Sequence, residues 1–248
     1  MPKKTRNLKH LGYVLLLTVL YSCTQETKRM DDYTVQGIDI SHHQRKIDWE
    51  LVATQGVSFA FVKATEGSEH QDTMFQKFWK EIQSAGIKRG AYHFFSPFSP
   101  ATDQAAHFIE TVQLQKGDLP PVLDVEITGK LQRRTLRENA LIWLQEIEKH
   151  YGVKPIIYTN QKFYLSHFTG EEFDGYPIWI ARYNSPNNPP FIPFGRQWSF
   201  WQYGDCGHLK GIKGCVDFNV FRGERQQFEN LLYQSAFRDS LNAQKKPL

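Results

Sequence analysis

The chain alternates short apolar runs with longer amphipathic stretches, and that alternation limits its fold more than anything else in the sequence. Val35–Ser41, Val57–Ala64, Arg89–Phe95, Pro121–Ile127, Pro155–Thr159 and Pro177–Ala181 read as strands. Between them, Gln71–Ala85, Pro100–Gln115 and Leu131–Tyr151 carry apolar residues at helical spacing, with Gly86 and Gly152 in the usual cap positions. Strands apolar on both faces and separated by helices imply a parallel sheet covered by helices. The last third differs. Trp198–Tyr203 and Val216–Val220 read as strands joined without a helix, and Arg222–Leu241 as a closing helix. The first strand–helix turn lacks a glycine-rich phosphate loop, so an open nucleotide-binding sheet is disfavoured. Polar and aromatic residues recur at the C-terminal ends of several runs, where barrel enzymes carry their sites. The expectation is an α/β fold: an irregular, TIM-like (β/α) barrel with a helix-poor C-terminal third.

The first 22 residues read as an export signal. Lys3, Lys4, Arg6 and Lys9 precede the apolar stretch Leu11–Leu20, which is short for a bilayer span. Ser22-Cys23 then resembles a lipoprotein cleavage box, so Cys23 is the expected lipidation site. Residues 23–34 read as a polar tether and residues 35–248 as the catalytic domain. Thr24 follows the cysteine where an Asp would signal inner-membrane retention, so the expected location is the cell envelope, anchored at the outer membrane. Without the first 22 residues the 30 basic residues fall to 26, equal to the 26 acidic ones. A neutral chain gives no reason to expect a nucleic-acid partner. Cys206 and Cys215 remain, with eight residues between them. In an oxidising compartment they are expected to form a disulfide, with two free thiols as the alternative.

Four carboxylates interrupt apolar runs: Asp39, Asp124, Glu126 and Asp217. Asp124 and Glu126 share one face of a strand if it is extended. Two like charges there repel, which drives their pKa values apart. One protonated and one ionised carboxyl is what glycoside hydrolysis requires. In a barrel the first and last strands are neighbours, so Asp39 and Asp217 can join the pair. Each alone could be an ordinary strand-end Asp. Tyr92, His93, Tyr158, Trp179, Tyr183, Trp201 and Tyr203 lie at or beyond strand ends, where aromatic faces can stack on pyranose rings. Trp79 and Trp143 read as core. His42-His43 is a weak metal-site candidate, because adjacent side chains on a strand end are expected to diverge and the remaining histidines show no ligand spacing.

In order and spacing, a series of motifs resembles glycoside hydrolase family 25, the Chalaropsis-type lysozymes. They are Gly37-Ile38-Asp39-Ile40-Ser41-His42-His43-Gln44, Phe61-Val62-Lys63-Ala64-Thr65-Glu66-Gly67, Gly90-Ala91-Tyr92-His93-Phe94-Phe95, Pro121-Val122-Leu123-Asp124-Val125-Glu126, Trp179-Ile180-Ala181-Arg182-Tyr183, Trp201-Gln202-Tyr203 and Val216-Asp217-Phe218-Asn219. Arg45 departs from the glycine often found after the His-x-Gln turn. The resemblance implies cleavage of the β-1,4 bond from N-acetylmuramic acid to N-acetylglucosamine in peptidoglycan, without a cofactor; a monomer with no metal site is the further expectation. It places Glu126 as general acid and Asp124 as its helper acting on the substrate acetamido group, with Asp39 and Asp217 in support. Tyr92, Tyr158, Trp179, Tyr183, Trp201 and Gln202 are the expected substrate-binding residues. Two other readings remain: a catalytically silent glycan-binding barrel, and a hydrolase of chitin-like chains.

Overall fold

The structure, a computed structural model, describes residues 27–234 except 184 and 186. Cys23 and the stretch 235–248 lie outside the described residues. Eight strands close a barrel in the order β1 (Gln36–Ile40), β2 (Val57–Glu66), β4 (Lys88–Phe94), β5 (Val122–Asp124), β6 (Ile156–Asn160), β7 (Ile178–Ala181), β8 (Phe200–Gly207) and β9 (Val216–Phe221), with β9 returning to β1. All neighbours pair in parallel except β9, which is antiparallel to both β8 and β1. A two-residue strand, β3 (His70–Gln71), folds back on the end of β2.

Alternation along each strand builds two separate cores. Phe59, Phe61, Val122, Ile156, Trp179, Phe200 and Phe221 fill the barrel interior. Their neighbours Ala60, Val62, Leu123, Ile157, Ile178, Ile180 and Val220 face outward against the helices. The interior has room for Phe59 and Phe61 because Gly37 and Gly90 sit opposite them; a Cβ at either glycine would overlap a ring. Phe228, on α6 (Arg225–Leu231), packs on Phe59 and Phe221 with centroids 5.6 and 5.5 Å apart and closes the floor.

The outer layer comes from α2 (Phe75–Ser84), α3 (Ala101–Thr111) and α4 (Arg133–Tyr151), with short α1 (Trp49–Ala53) and α5 (Gln161–His167). On α4 the buried residues Leu136, Ala140, Trp143, Leu144 and Ile147 form one stripe, and Gly152 ends the helix at φ 70°. The pattern in the sequence did not reveal α1, α5 or β3, which are short. Among the described residues the connections β7–β8 and β8–β9 carry no α-helix. The outer face of β8 is covered instead by the N-terminal segment. Thr27 N–H donates to the Cys206 carbonyl (2.9 Å), and Tyr33 packs on Trp198 and Trp201 at 6.0 and 6.3 Å. Residues 27–33, expected as part of a free tether, are therefore docked. Apolar side chains on β8 with no helix above them supply the reason.

Candidate active site

The carboxylates meet at the C-terminal mouth of the barrel. Asp39, Asp124, Glu126 and Asp217 line one cavity of about 250 Å³, together with Ser41, His43, Lys63, Tyr92, Phe94, Tyr158, Trp179, Tyr183 and Gln202. β5 ends at Asp124, three residues short of the expected strand. Even so, Glu126 stays on the same face. The Val125 N–H donates to the Tyr158 carbonyl (3.0 Å) and the Thr159 hydroxyl to the Val125 carbonyl (2.6 Å), which holds the chain extended past the strand end.

The four acids form two pairs. Asp39 and Asp217 are direct partners across the antiparallel β1–β9 ladder. Asp39 Oδ2 accepts from Gln202 Nε2 (2.8 Å) and Asn219 Nδ2 (2.7 Å). Burial raises the Asp39 pKa, and these donors oppose the rise. Asp217 lacks them, so burial and the Asp39 charge push it up to about 9. Asp217 therefore holds the proton and Asp39 the charge.

Asp124 and Glu126 form the second pair, with side chains in hydrogen-bonding contact. Burial lifts Asp124 well above the usual carboxylate range, and the Glu126 charge adds to this. Glu126 is raised more modestly, again by burial. Burial thus favours the protonated form more strongly at Asp124 than at Glu126. The sequence expectation has Glu126 protonated and Asp124 ionised; burial by itself favours the opposite order, and what sits against Asp124 decides between them. Asp124 Oδ1 is buried, and among the described residues no N–H or hydroxyl group donates to it.

A relay of hydroxyls and amides orients the rest. Tyr158 and Tyr183 both donate to Gln202 Oε1, at 2.6 and 2.7 Å, which turns the Gln202 amide toward Asp39. Trp179 Nε1 donates to Asn219 Oδ1 (2.8 Å) and fixes that amide in the same way. Burial raises the pKa of Tyr92, Tyr158 and Tyr183, so all three remain neutral hydroxyls.

Trp201 is the exception among the expected substrate contacts. Its neighbours Phe200 and Gln202 face inward, so Trp201 faces outward, 0% exposed, with Nε1 on the Arg182 carbonyl (2.9 Å). It belongs to the outer core, as does Tyr203. His93 is also on the outer face, stacked on Trp143 at 5.4 Å. Burial holds its pKa down to about 3. His42 and His43 do not diverge: in a 3-10 turn their rings approach to 4.1 Å, and His42 Nδ1 pairs with Asp72 Oδ2 at 2.7 Å. Cys206 and Cys215 are joined as a disulfide. The sequence reading missed Ser41, His43, Lys63, Phe94 and Asn219 as site residues. Lys63 has the inward parity of Phe59 and Phe61, and Asn219 that of Asp217, which is the signal that could have found them.

The family model for glycosyl hydrolases family 25 matches residues 38–212, a span that includes Asp39, Asp124 and Glu126. This chain belongs to glycosyl hydrolase family 25. It is a glycoside hydrolase. It is 44% identical over 204 residues to the uncharacterised protein YegX of Escherichia coli K12, covering 79% of this chain and 73% of that protein. Lysozyme M1 of Streptomyces globisporus is 35% identical over 208 residues, 78% of this chain and 69% of the relative. Among solved structures, a family 25 glycosyl hydrolase from Bacillus anthracis superposes with a TM-score of 0.77 at 35% identity, over 84% of this chain and 98% of the other. The family's lysozymes and muramidases make peptidoglycan hydrolysis its activity.

Proposed function

We propose that this enzyme is an N-acetylmuramidase that cuts the β-1,4 bond between N-acetylmuramic acid and N-acetylglucosamine. The observation that carries the reading is the Asp124–Glu126 contact. Carboxyls that straddle a sugar stand roughly 5–9.5 Å apart in double-displacement and inverting hydrolases. A touching pair suits neither arrangement and suits a substrate that supplies its own nucleophile. The N-acetyl N–H of the muramyl residue becomes the donor that Asp124 Oδ1 lacks. That hydrogen bond favours ionised Asp124, and the shared proton passes to Glu126. Glu126 gives it to the departing glycosidic oxygen as the acetamido carbonyl oxygen closes on C1. A water then opens the cyclic intermediate, with Glu126 taking back a proton. The Asp39 charge faces the cation that develops at the anomeric carbon. Net retention of configuration follows. Glu126→Gln is expected to end the release of reducing ends from peptidoglycan, and NMR of early wild-type product should show the retained anomer. Clean inversion would overturn the acetamido route.

The remaining expectations join this proposal. A lipid at Cys23 would hold a monomeric enzyme in the cell envelope, at the outer membrane, with the glycan strands of the wall as its substrate. Labelling with a radiolabelled fatty acid, lost in Cys23→Ala, is the direct check.

A further inference from the structure

Phe98 is 77% exposed, on the turn between β4 and α3, and the turn is built to hold it there. Gln104, fully buried on α3, clamps the turn from below. Its Nε2 donates to the carbonyls of Ser96 and Ser99, both at 2.8 Å, and its Oε1 accepts the Ser96 N–H at 2.9 Å. His93 Nε2 reaches the same Oε1 at 3.0 Å, and the Thr65 hydroxyl lies 2.7 Å from His93 Nδ1. Pro97 and Pro100 restrict the backbone further. A free-energy cost attaches to fixing a turn and to leaving a phenyl ring in water, and core packing recovers neither.

The turn that carries Phe98 starts at the wall of the cleft. Phe94 lines the catalytic cavity, and the Phe95 N–H donates to the Asp124 carbonyl at 2.8 Å, so the turn springs from the wall that carries the acids. Its far side rests on the 127–130 turn that follows Glu126. Gly129 has φ +56°, and a Cβ there would come within 2.7 Å of Pro97 and 3.3 Å of Phe98. Ile127, the residue after Glu126, is 42% exposed on the same turn. Two exposed apolar side chains from two abutting turns thus extend the rim beyond the acid.

We propose that Phe98 and Ile127 form a sugar-stacking ledge for the leaving-group side of a glycan strand. Asp124 lies deep in the cavity with the ring whose C1 reacts, whereas Glu126 lies nearer the mouth and faces the departing oxygen. The next ring outward passes over Ile127 and lays its apolar face on Phe98. An N-acetylhexosamine fits, with its hydroxyls free at the ring edges. The ledge continues the catalytic cleft, and it rests on the assignment of Glu126 as acid.

The test is steady-state hydrolysis of defined peptidoglycan oligosaccharides of increasing length on the leaving side. Phe98→Ala is expected to raise KM about tenfold on the longest chains, with the penalty shrinking as leaving-side sugars are removed and kcat changing little. Phe98→Trp should restore KM, which a merely structural role would not predict. The side chain is exposed, so the thermal midpoint should hold and report folding. A KM penalty independent of chain length, or none, overturns the ledge while leaving the muramidase reading intact. Activity retained in Glu126→Gln strikes the acid assignment instead.

Discussion

Asp217 faces Asp39 directly across the β1–β9 ladder, in a cavity that also contains Asp124 and Glu126. Its pKa stands near 9, against 3.8 for a free Asp. Between those values the folded protein keeps a proton that the unfolded chain releases, so this group lowers stability as pH rises through the window. Asp217→Asn should therefore stabilise the fold by about 1–2 kcal/mol, a size common when a strained functional site is relieved. The gain should be larger at pH 8 than at pH 5 in thermal unfolding; equal midpoints for both proteins at both values would contradict the assignment. The two amides on Asp39 show how far residues can be read singly. The motifs single out Gln202, whereas Asn219, within the Val216-Asp217-Phe218-Asn219 motif, carries no assigned role although it shares the inward parity of Asp217. Trp201 and Gln202 were both expected at the mouth, although adjacent strand residues point to opposite faces. The period of two was enough to exclude one of them, and the inward Gln202 decides which.

At the scale of elements, the parallel strands and long helices were legible because each has a strong period: the two cores on β2, the stripe on α4. Glu126 was placed on a strand that in fact stops at Asp124, because the hydrogen bonds that keep the chain extended come from Tyr158 and Thr159, more than 30 residues away in sequence. The short α1 and α5 lack enough turns for a period to register. Glycine placement in the barrel interior was equally invisible, since it depends on which ring lies across the sheet. Gly90→Ala sets a Cβ into the Phe61 ring and against Leu119. A cost of about 1–3 kcal/mol is expected from overpacking, read as a lower urea midpoint with unchanged slope. The substitution lies on β4, which carries Tyr92 and leads to the Phe98 turn, so loss of activity should accompany it. Wild-type stability in that variant would mean the interior is less tightly filled than the contacts indicate.

For the whole molecule, the irregularity of the barrel lies in the connections β7–β8 and β8–β9, which carry no α-helix among the described residues, and two devices compensate. The segment 27–33 covers the outer face of β8, and the Cys206–Cys215 bridge ties the ends of the β8–β9 hairpin. Closing a loop of this size contributes roughly 2–3 kcal/mol; the paired Cys206→Ser, Cys215→Ser change should show that loss in chemical unfolding, and no change would remove the bridge from the account. Thr27 binds the Cys206 carbonyl, and Cys215 is two residues from Asp217, so the point where the chain joins the barrel lies close to the catalytic mouth. A lipid at Cys23, four residues before Thr27, would hold Thr27 within about 15 Å of the anchoring point at full chain extension. The central claim, that the Asp124–Glu126 pair cuts at the muramyl anomeric carbon, is tested most directly by mass spectrometry of fragments released from purified peptidoglycan and reduced with borohydride. The account predicts fragments that end in reduced N-acetylmuramic acid, absent with Glu126→Gln. Fragments ending in reduced N-acetylglucosamine, or in a non-reducible anhydro sugar, would contradict it.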